Sequence, residues 1–129
     1  MDHSENKKLV ILFVDDEQII CQYFARICES YFEVLIAYDA IQAQQILKEK
    51  GEEISIVVSD NRMPKMNGIE FLTQVKKEYP NIIRILTTAY LDSKIESDSK
   101  NLAEVYKCIE KPWDIDNLLN DLRLAIESN

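Results

Sequence analysis

Six consecutive apolar residues, Leu9–Val14 (LVILFV), stop abruptly at Asp15, Asp16 and Glu17. A continuous apolar run of that length suits a strand covered on both faces. Such a strand needs helices above and below it, and the chain supplies them by alternation. Ile19, Ile20, Tyr23, Phe24, Ile27 and Cys28 follow at helical spacing. Phe32–Ala37 is a second strand with Glu33 as its only polar residue, and Asp39 with Gln42 resembles a capping box. The helix it opens has Ala40, Ala43 and Leu47 inward and Gly51 as its C-cap.

The pattern then repeats. A third strand, Ile54–Ser59, ends at Asp60, and the helix after Gly68 carries Leu72, Val75 and Tyr79 before Pro80 closes it. Ile82–Thr87 is the fourth strand. Residues 91–103 (LDSKIESDSKNLA) are thin in apolar groups, with only Leu91, Ile95 and Leu102 to face a core, and predict a short or mobile helix. Val105–Ile109 is the fifth strand, marked as an edge by Lys107. The last helix follows Pro112 with Ile115, Leu118, Leu119, Leu122 and Ile126 on one stripe. Five βα units in succession predict an α/β fold with a doubly wound five-stranded parallel sheet in the order 2-1-3-4-5. Residues 8–129 form one domain in this reading, and residues 1–7, with the only histidine, His3, form a flexible N-terminal tail.

The net charge of −8 argues against binding of nucleic acid or an anionic membrane by this domain, and suits a divalent cation or a basic partner. Cys21, Cys28 and Cys108 fit neither a disulfide framework nor a zinc motif, and the first two read as small buried apolar groups. The polar N-terminus is unlike a signal peptide and no stretch reaches membrane-spanning length, so a reducing, cytoplasmic setting is expected.

In an open α/β sheet, ligands bind beyond the carboxyl ends of the strands, at the switch point between the first and third. Asp15 and Asp16 follow the first strand, Asp60 the third, Thr88 the fourth and Lys111 the fifth. Asp also starts turns; what singles out Asp60 is this company. Three crowded carboxylates repel one another unless compensated. A hard divalent cation such as Mg²⁺ accepts oxygen ligands, and with Lys111 it brings the formal charge of the cluster to zero. A site so balanced can accept a phosphoryl group, with a carboxylate as nucleophile and Thr88 donating to a phosphoryl oxygen.

The segments ILFVDDE, VVSDNRMPKMNG, RILTTAY and CIEKPWD, in this order and spacing, resemble the receiver domain of two-component response regulators. The resemblance spans Leu9 to about Ile126 and implies the flavodoxin-like (βα)5 fold of chemotaxis-regulator-like proteins. It implies that Asp60 is the phosphoacceptor, that Thr88 is the switch hydroxyl and that Lys111 is the phosphoryl counter-charge. It further implies Mg²⁺, or Mn²⁺ in its place, on Asp15, Asp16, Asp60 and the Arg62 backbone carbonyl, and a Lys111–Pro112 bond that is often cis. The expected donor is a phosphohistidine on a sensor histidine kinase or a histidine phosphotransfer protein. The output passes to a C-terminal effector domain or a downstream protein, so the chain is either a stand-alone adaptor or a receiver cut from a longer one. The KPWD ending resembles receivers attached to cyclic-dinucleotide phosphodiesterase or kinase modules.

Three features depart from or refine the family pattern. Cys108 replaces the usual aromatic residue three before the lysine, while Tyr106 lies roughly 6.6 Å back on the same strand face, so threonine–aromatic coupling is expected to be weakened or rerouted. Arg62 and Tyr90 stand where the family flanks the path of the hydrolytic water, and their bulk is expected to slow autodephosphorylation. The polar fourth helix lies on the face receivers use for partners, either as a solvated surface or as a segment ordered by phosphorylation. Two other functions compete: a pseudo-receiver that never takes phosphate, and an aspartate-nucleophile phosphatase. The intact acids and Lys111 oppose the first. The second wants an Asp-x-Asp pair on the first strand, where this chain has adjacent acids.

Overall fold

A computed structural model describes residues 7–128; residues 1–6, which hold His3 and most of the expected tail, and Asn129 lie outside the described residues. The chain alternates β1 (Leu9–Val14), α1 (Gln18–Cys28), β2 (Phe32–Ala37), α2 (Ala40–Lys50), β3 (Ile54–Asp60), α3 (Gly68–Glu78), β4 (Ile83–Thr88), α4 (Ser93–Asn101), β5 (Lys107–Glu110) and α5 (Ile115–Glu127). The five strands are parallel in the order β2-β1-β3-β4-β5, as the alternation requires.

Strand alternation divides the core in two. Val10, Leu12, Val14 and Val57 face α2 and α3 with Ala43, Leu47, Phe71 and Leu72. Ile11, Phe13, Ile56, Val58 and Ile85 face α1 and α5 with Phe24, Cys28, Leu118 and Leu122. β1 and β3 are buried on both faces except at Leu9 and Ser55, which is why their sequences are continuous rather than alternating in polarity. Cys21 and Cys28 are buried free thiols, each pushed up to about 12 chiefly by burial.

Side-chain caps start four helices. Asp39, Asp92 and Asp114 accept from Gln42, Ile95 and Asn117 N–H at 2.8–2.9 Å. Gln42 Oε1 reaches back to Tyr38 N–H, one residue short of the reciprocal bond a full capping box would make. The full box occurs at Asn67 and Glu70, on α3.

The buried faces of α1 and α5 differ from the expected stripes. Ile19 is 79% exposed and Ile115 48%, because the inward faces run through Cys21, Phe24 and Cys28 on α1 and through Leu118, Leu122 and Ala125 on α5. β4 and β5 each start later than expected. Arg84, at the start of β4, donates to the carbonyls of Pro80, Ile82, Ala103 and Glu104. It thereby gathers the turn before β5, where Glu104 has φ 48°, and leaves Val105 and Tyr106 outside the strand. The expected thin helix is short and regular. Its only fully buried residue is Ser99, with Ile95 partly buried and Leu102 exposed.

Candidate functional site

The parallel register assembles the rim. Val14 pairs with Ser59, so Asp15 and Asp60 leave adjacent strands side by side. Asp60 pairs with Thr87 and Thr88 with Glu110, which brings Thr88 and Lys111 to the same edge one residue further along. Lys111 N–H donates to Thr88 O at 2.9 Å and continues the ladder for one step beyond the strand. The Lys111–Pro112 peptide is cis.

Asp15 and Asp60 are buried and Asp16 is exposed. One carboxylate oxygen from each lies within 4.8 Å of the others. Lys111 Nζ sits 3.0 Å from Asp15 Oδ2 and 3.0 Å from Asp60 Oδ1, one ammonium shared by two buried carboxylates. Burial raises the Asp60 pKa above the ordinary carboxylate value; the Lys111 hydrogen bond opposes that, and the negative charge of Asp15 adds to it. Burial works to lower the Lys111 pKa, but its hydrogen bonds to Asp60 and Asp15 outweigh it and leave the ammonium more firmly charged. Three carboxylates and one ammonium leave a formal excess of two negative charges among hard oxygen donors. That donor set fits a divalent cation of the Mg²⁺ or Mn²⁺ type.

Loops hold the acids in place. Asp15 Oδ1 accepts from Glu17 N–H at 2.9 Å, and Cys21 Sγ donates to Asp15 O at 3.2 Å, so α1 grips the acid from its first turn. After Asp60 the chain turns through Pro64–Lys65–Met66, with Met66 N–H donating to Pro64 O at 2.8 Å around Lys65 at φ 72°. Gly68 then donates to Asn61 O at 2.9 Å. A Cβ on Gly68 would lie 2.2 Å from Asp60 O, so α3 starts this close to the acid only because residue 68 has no side chain.

Thr88 is buried, and its hydroxyl is engaged locally: it accepts from Tyr90 N–H at 3.2 Å and donates to Tyr90 O at 3.3 Å. The Arg62 guanidinium lies 5.5 Å from the centre of the exposed Tyr90 ring, in cation–π range. The two residues singled out for bulk therefore meet each other. Cys108 faces α4, its Sγ 2.9 Å from Ser99 Oγ. Tyr106 lies before β5 and lines a groove with Pro80, Arg84 and Ser128, about four strand residues from Thr88, so it does not replace the missing aromatic.

A buried pair beside this rim, Trp113 Nε1 donating to Thr87 Oγ1 at 2.9 Å, was not among the expected site residues. The signal was available in part, since a tryptophan that covers a core needs an acceptor for its indole N–H.

Known proteins resemble the chain in sequence and in fold. HoxA of Cupriavidus necator, a hydrogenase transcriptional regulatory protein, is 34% identical over 123 residues, 95% of this chain and 25% of that protein. The chain spans about a quarter of the length of that relative and of the protein of the same name from Bradyrhizobium diazoefficiens. Sporulation initiation phosphotransferase F of Bacillus subtilis is 32% identical over 127 residues, 92% of this chain and 96% of that one. Among solved structures, the signal receiver domain of an HD domain-containing protein from Pseudomonas fluorescens has a TM-score of 0.89 at 33% identity, covering 95% of this chain and 97% of that one. Residues 11–123 match the family described as the response regulator receiver domain, and the chain belongs to that family.

Proposed function

We propose that this domain, residues 8–129, is a phosphorylation-dependent switch in which Asp60 accepts a phosphoryl group from a phosphohistidine. The observation that carries this reading is the Lys111 ammonium, 3.0 Å from both Asp15 and Asp60 in a cluster of three acids. Asp15, Asp16, Asp60 and the Arg62 carbonyl would hold Mg²⁺, or Mn²⁺ in its place. When bound, the cation supplies the positive charge that lets a phosphate approach a carboxylate cluster.

The chain's own residues do the rest. An Asp60 carboxylate oxygen attacks phosphorus; the new O–P bond forms as the N–P bond to the donor histidine breaks, and the electron pair leaves on the imidazole. Lys111 moves its charge from the carboxylates to the incoming phosphoryl oxygens. Thr88 gives up its long bond to Tyr90 O and donates to a phosphoryl oxygen, which moves the start of the β4–α4 loop. Arg62 and Tyr90, in contact with each other, narrow the route of the hydrolysing water, so autodephosphorylation is slow. No separate substrate is turned over.

The donor is a sensor histidine kinase or a histidine phosphotransfer protein. The output goes to an effector domain or downstream protein; transcriptional regulators among the relatives support that direction and a cytoplasmic setting. Incubation with acetyl phosphate and Mg²⁺, followed by intact mass, is expected to add one phosphoryl group to the wild type and none to Asp60→Asn. Absence of the adduct from the wild type would overturn the reading and favour a phosphate-independent interaction module.

A further inference from the structure

Trp113 and Thr87 take no part in the chemistry just described, yet they are buried beside it. Thr87 is fully buried and Trp113 nearly so, and the indole Nε1–H donates to Thr87 Oγ1 at 2.9 Å. Three aromatic rings pack against the indole. It lies edge-on to Phe13 at 5.8 Å and to Phe24 at 5.5 Å, and stacks on Tyr23 at 6.1 Å. A buried indole N–H needs an acceptor, and Thr87 provides it.

The placement matters because of what lies between. Lys111 N–H donates to Thr88 O, and two residues later Trp113 donates to the Thr87 side chain. The loop that bears the ammonium is thus pinned to two consecutive residues of β4, once on each side of the loop's Pro112. A lysine side chain has large rotamer freedom, and Nζ meets two carboxylates at 3.0 Å only if the backbone that carries it stays in place.

We propose that Trp113, through its hydrogen bond to Thr87, is a positioning residue for Lys111, fixing the loop so that one ammonium meets Asp15 and Asp60 together. The kinetic consequence rests on the phosphoryl-acceptor reading; the restraint on Lys111 does not.

The test uses the full chain with Thr87→Val, which keeps the shape of the acceptor but not its function, and Trp113→Phe, which keeps an aromatic ring but not the donor. Their double variant and Thr87→Ser, which keeps a hydroxyl, complete the set, with circular dichroism confirming that each folds. In metal-free protein, 13C relaxation at Lys111 Cε is expected to show lower order in the Val and Phe variants and wild-type order in Thr87→Ser. With acetyl phosphate at saturating Mg²⁺, phosphorylation is expected to slow about tenfold in either single variant, as loss of an outer orienting group does. The double variant should be no slower, and half-saturation by Mg²⁺ should not weaken. Unchanged Lys111 order in both single variants overturns the inference, whatever the phosphorylation rates. Losses that multiply in the double variant overturn it too, since they show two independent packing effects. If the wild type itself takes no phosphoryl group, the reading of Asp60 fails, and Lys111 order alone then decides the inference.

Discussion

Lys111→Met tests the charge balance of the site most directly. Methionine keeps an unbranched stem of similar length, so the substitution removes a charge with little change in packing. The ammonium is shared between Asp15, whose side chain is fully buried, and Asp60, whose side chain is 8% exposed. Removing one partner of a buried pair costs about 3–5 kcal/mol because the other charge is left uncompensated. For a domain of this size 1 kcal/mol moves the melting temperature by roughly 3–5 °C, so metal-free Lys111→Met should melt about 9–25 °C below the wild type.

Two further dependences separate charge from packing. A cation present at a hundred times its dissociation constant stabilises by about 2.7 kcal/mol. In the variant no ammonium competes for the carboxylates, so Mg²⁺ should bind more tightly and recover most of the loss. Acid should act in the same sense. Burial holds the Asp60 pKa above the ordinary 3.8. The fold therefore favours the protonated form, a contribution complete below the unfolded pKa and lost as pH rises through the folded one. Loss of Lys111 removes both influences that lower this pKa, so the stability gap between variant and wild type should widen from about pH 4 to about pH 7. Calorimetry with EDTA or Mg²⁺ across that range is the measurement. Equal melting temperatures in EDTA at neutral pH, or a deficit that neither Mg²⁺ nor acid reduces, would refute the view that Lys111 balances the cluster.

Arg62→Ala and Tyr90→Ala each remove one half of the cation–π contact, and the phosphoryl lifetime, followed by phosphate release, should shorten by several-fold in either. An unchanged lifetime in the pair would mean the contact does not guard the route of water. Gly68→Ala places a methyl carbon 2.2 Å from Asp60 O, against backbone rather than a yielding side chain, so urea denaturation should show a loss of about 3 kcal/mol, the upper end for overpacking. Cys108→Tyr restores the family's aromatic at a position where Sγ lies 2.9 Å from the buried Ser99 Oγ. It should cost about 1–3 kcal/mol by displacing α4, and phosphorylation-dependent NMR shifts around Thr88 should differ from the wild type; identical shifts would mean residue 108 carries no coupling.

The sheet order and the site acids could be read from the chain because both follow from short-range pattern. Apolar runs that end in Asp15 and Asp60 imply buried strands with acids at their carboxyl ends, and parallel pairing does the rest. The rotation of each helix about its own axis was less accessible: a 3.6-residue stripe defines a face only to within a residue or so, which is how Ile19 and Ile115 came to be placed inward. Apart from Lys111 with Asp15 and Asp60, the partners in bonds between distant side chains were not legible. Nothing periodic links Trp113 with Thr87, Ser99 with Cys108 or Arg62 with Tyr90; their pairing depends on how β4, β5 and the loops lie after folding. Tyr106 illustrates the limit from the other side. Its spacing from Cys108 suits one strand face, but the strand begins only at Lys107, after the turn that Arg84 gathers.

Arg84 also gives β4 a mechanical character. At one end of the strand a single guanidinium holds four carbonyl oxygens; at the other, Thr88 keeps only long hydroxyl bonds to Tyr90 beyond its ladder. The backbone there is held as well, by Asn61 N–H on Thr87 O and Lys111 N–H on Thr88 O, so what is left loose is the Thr88 hydroxyl and the loop after it rather than the strand. That hydroxyl lies four residues, about 13 Å, from Arg84 and one residue beyond the strand partner of Asp60.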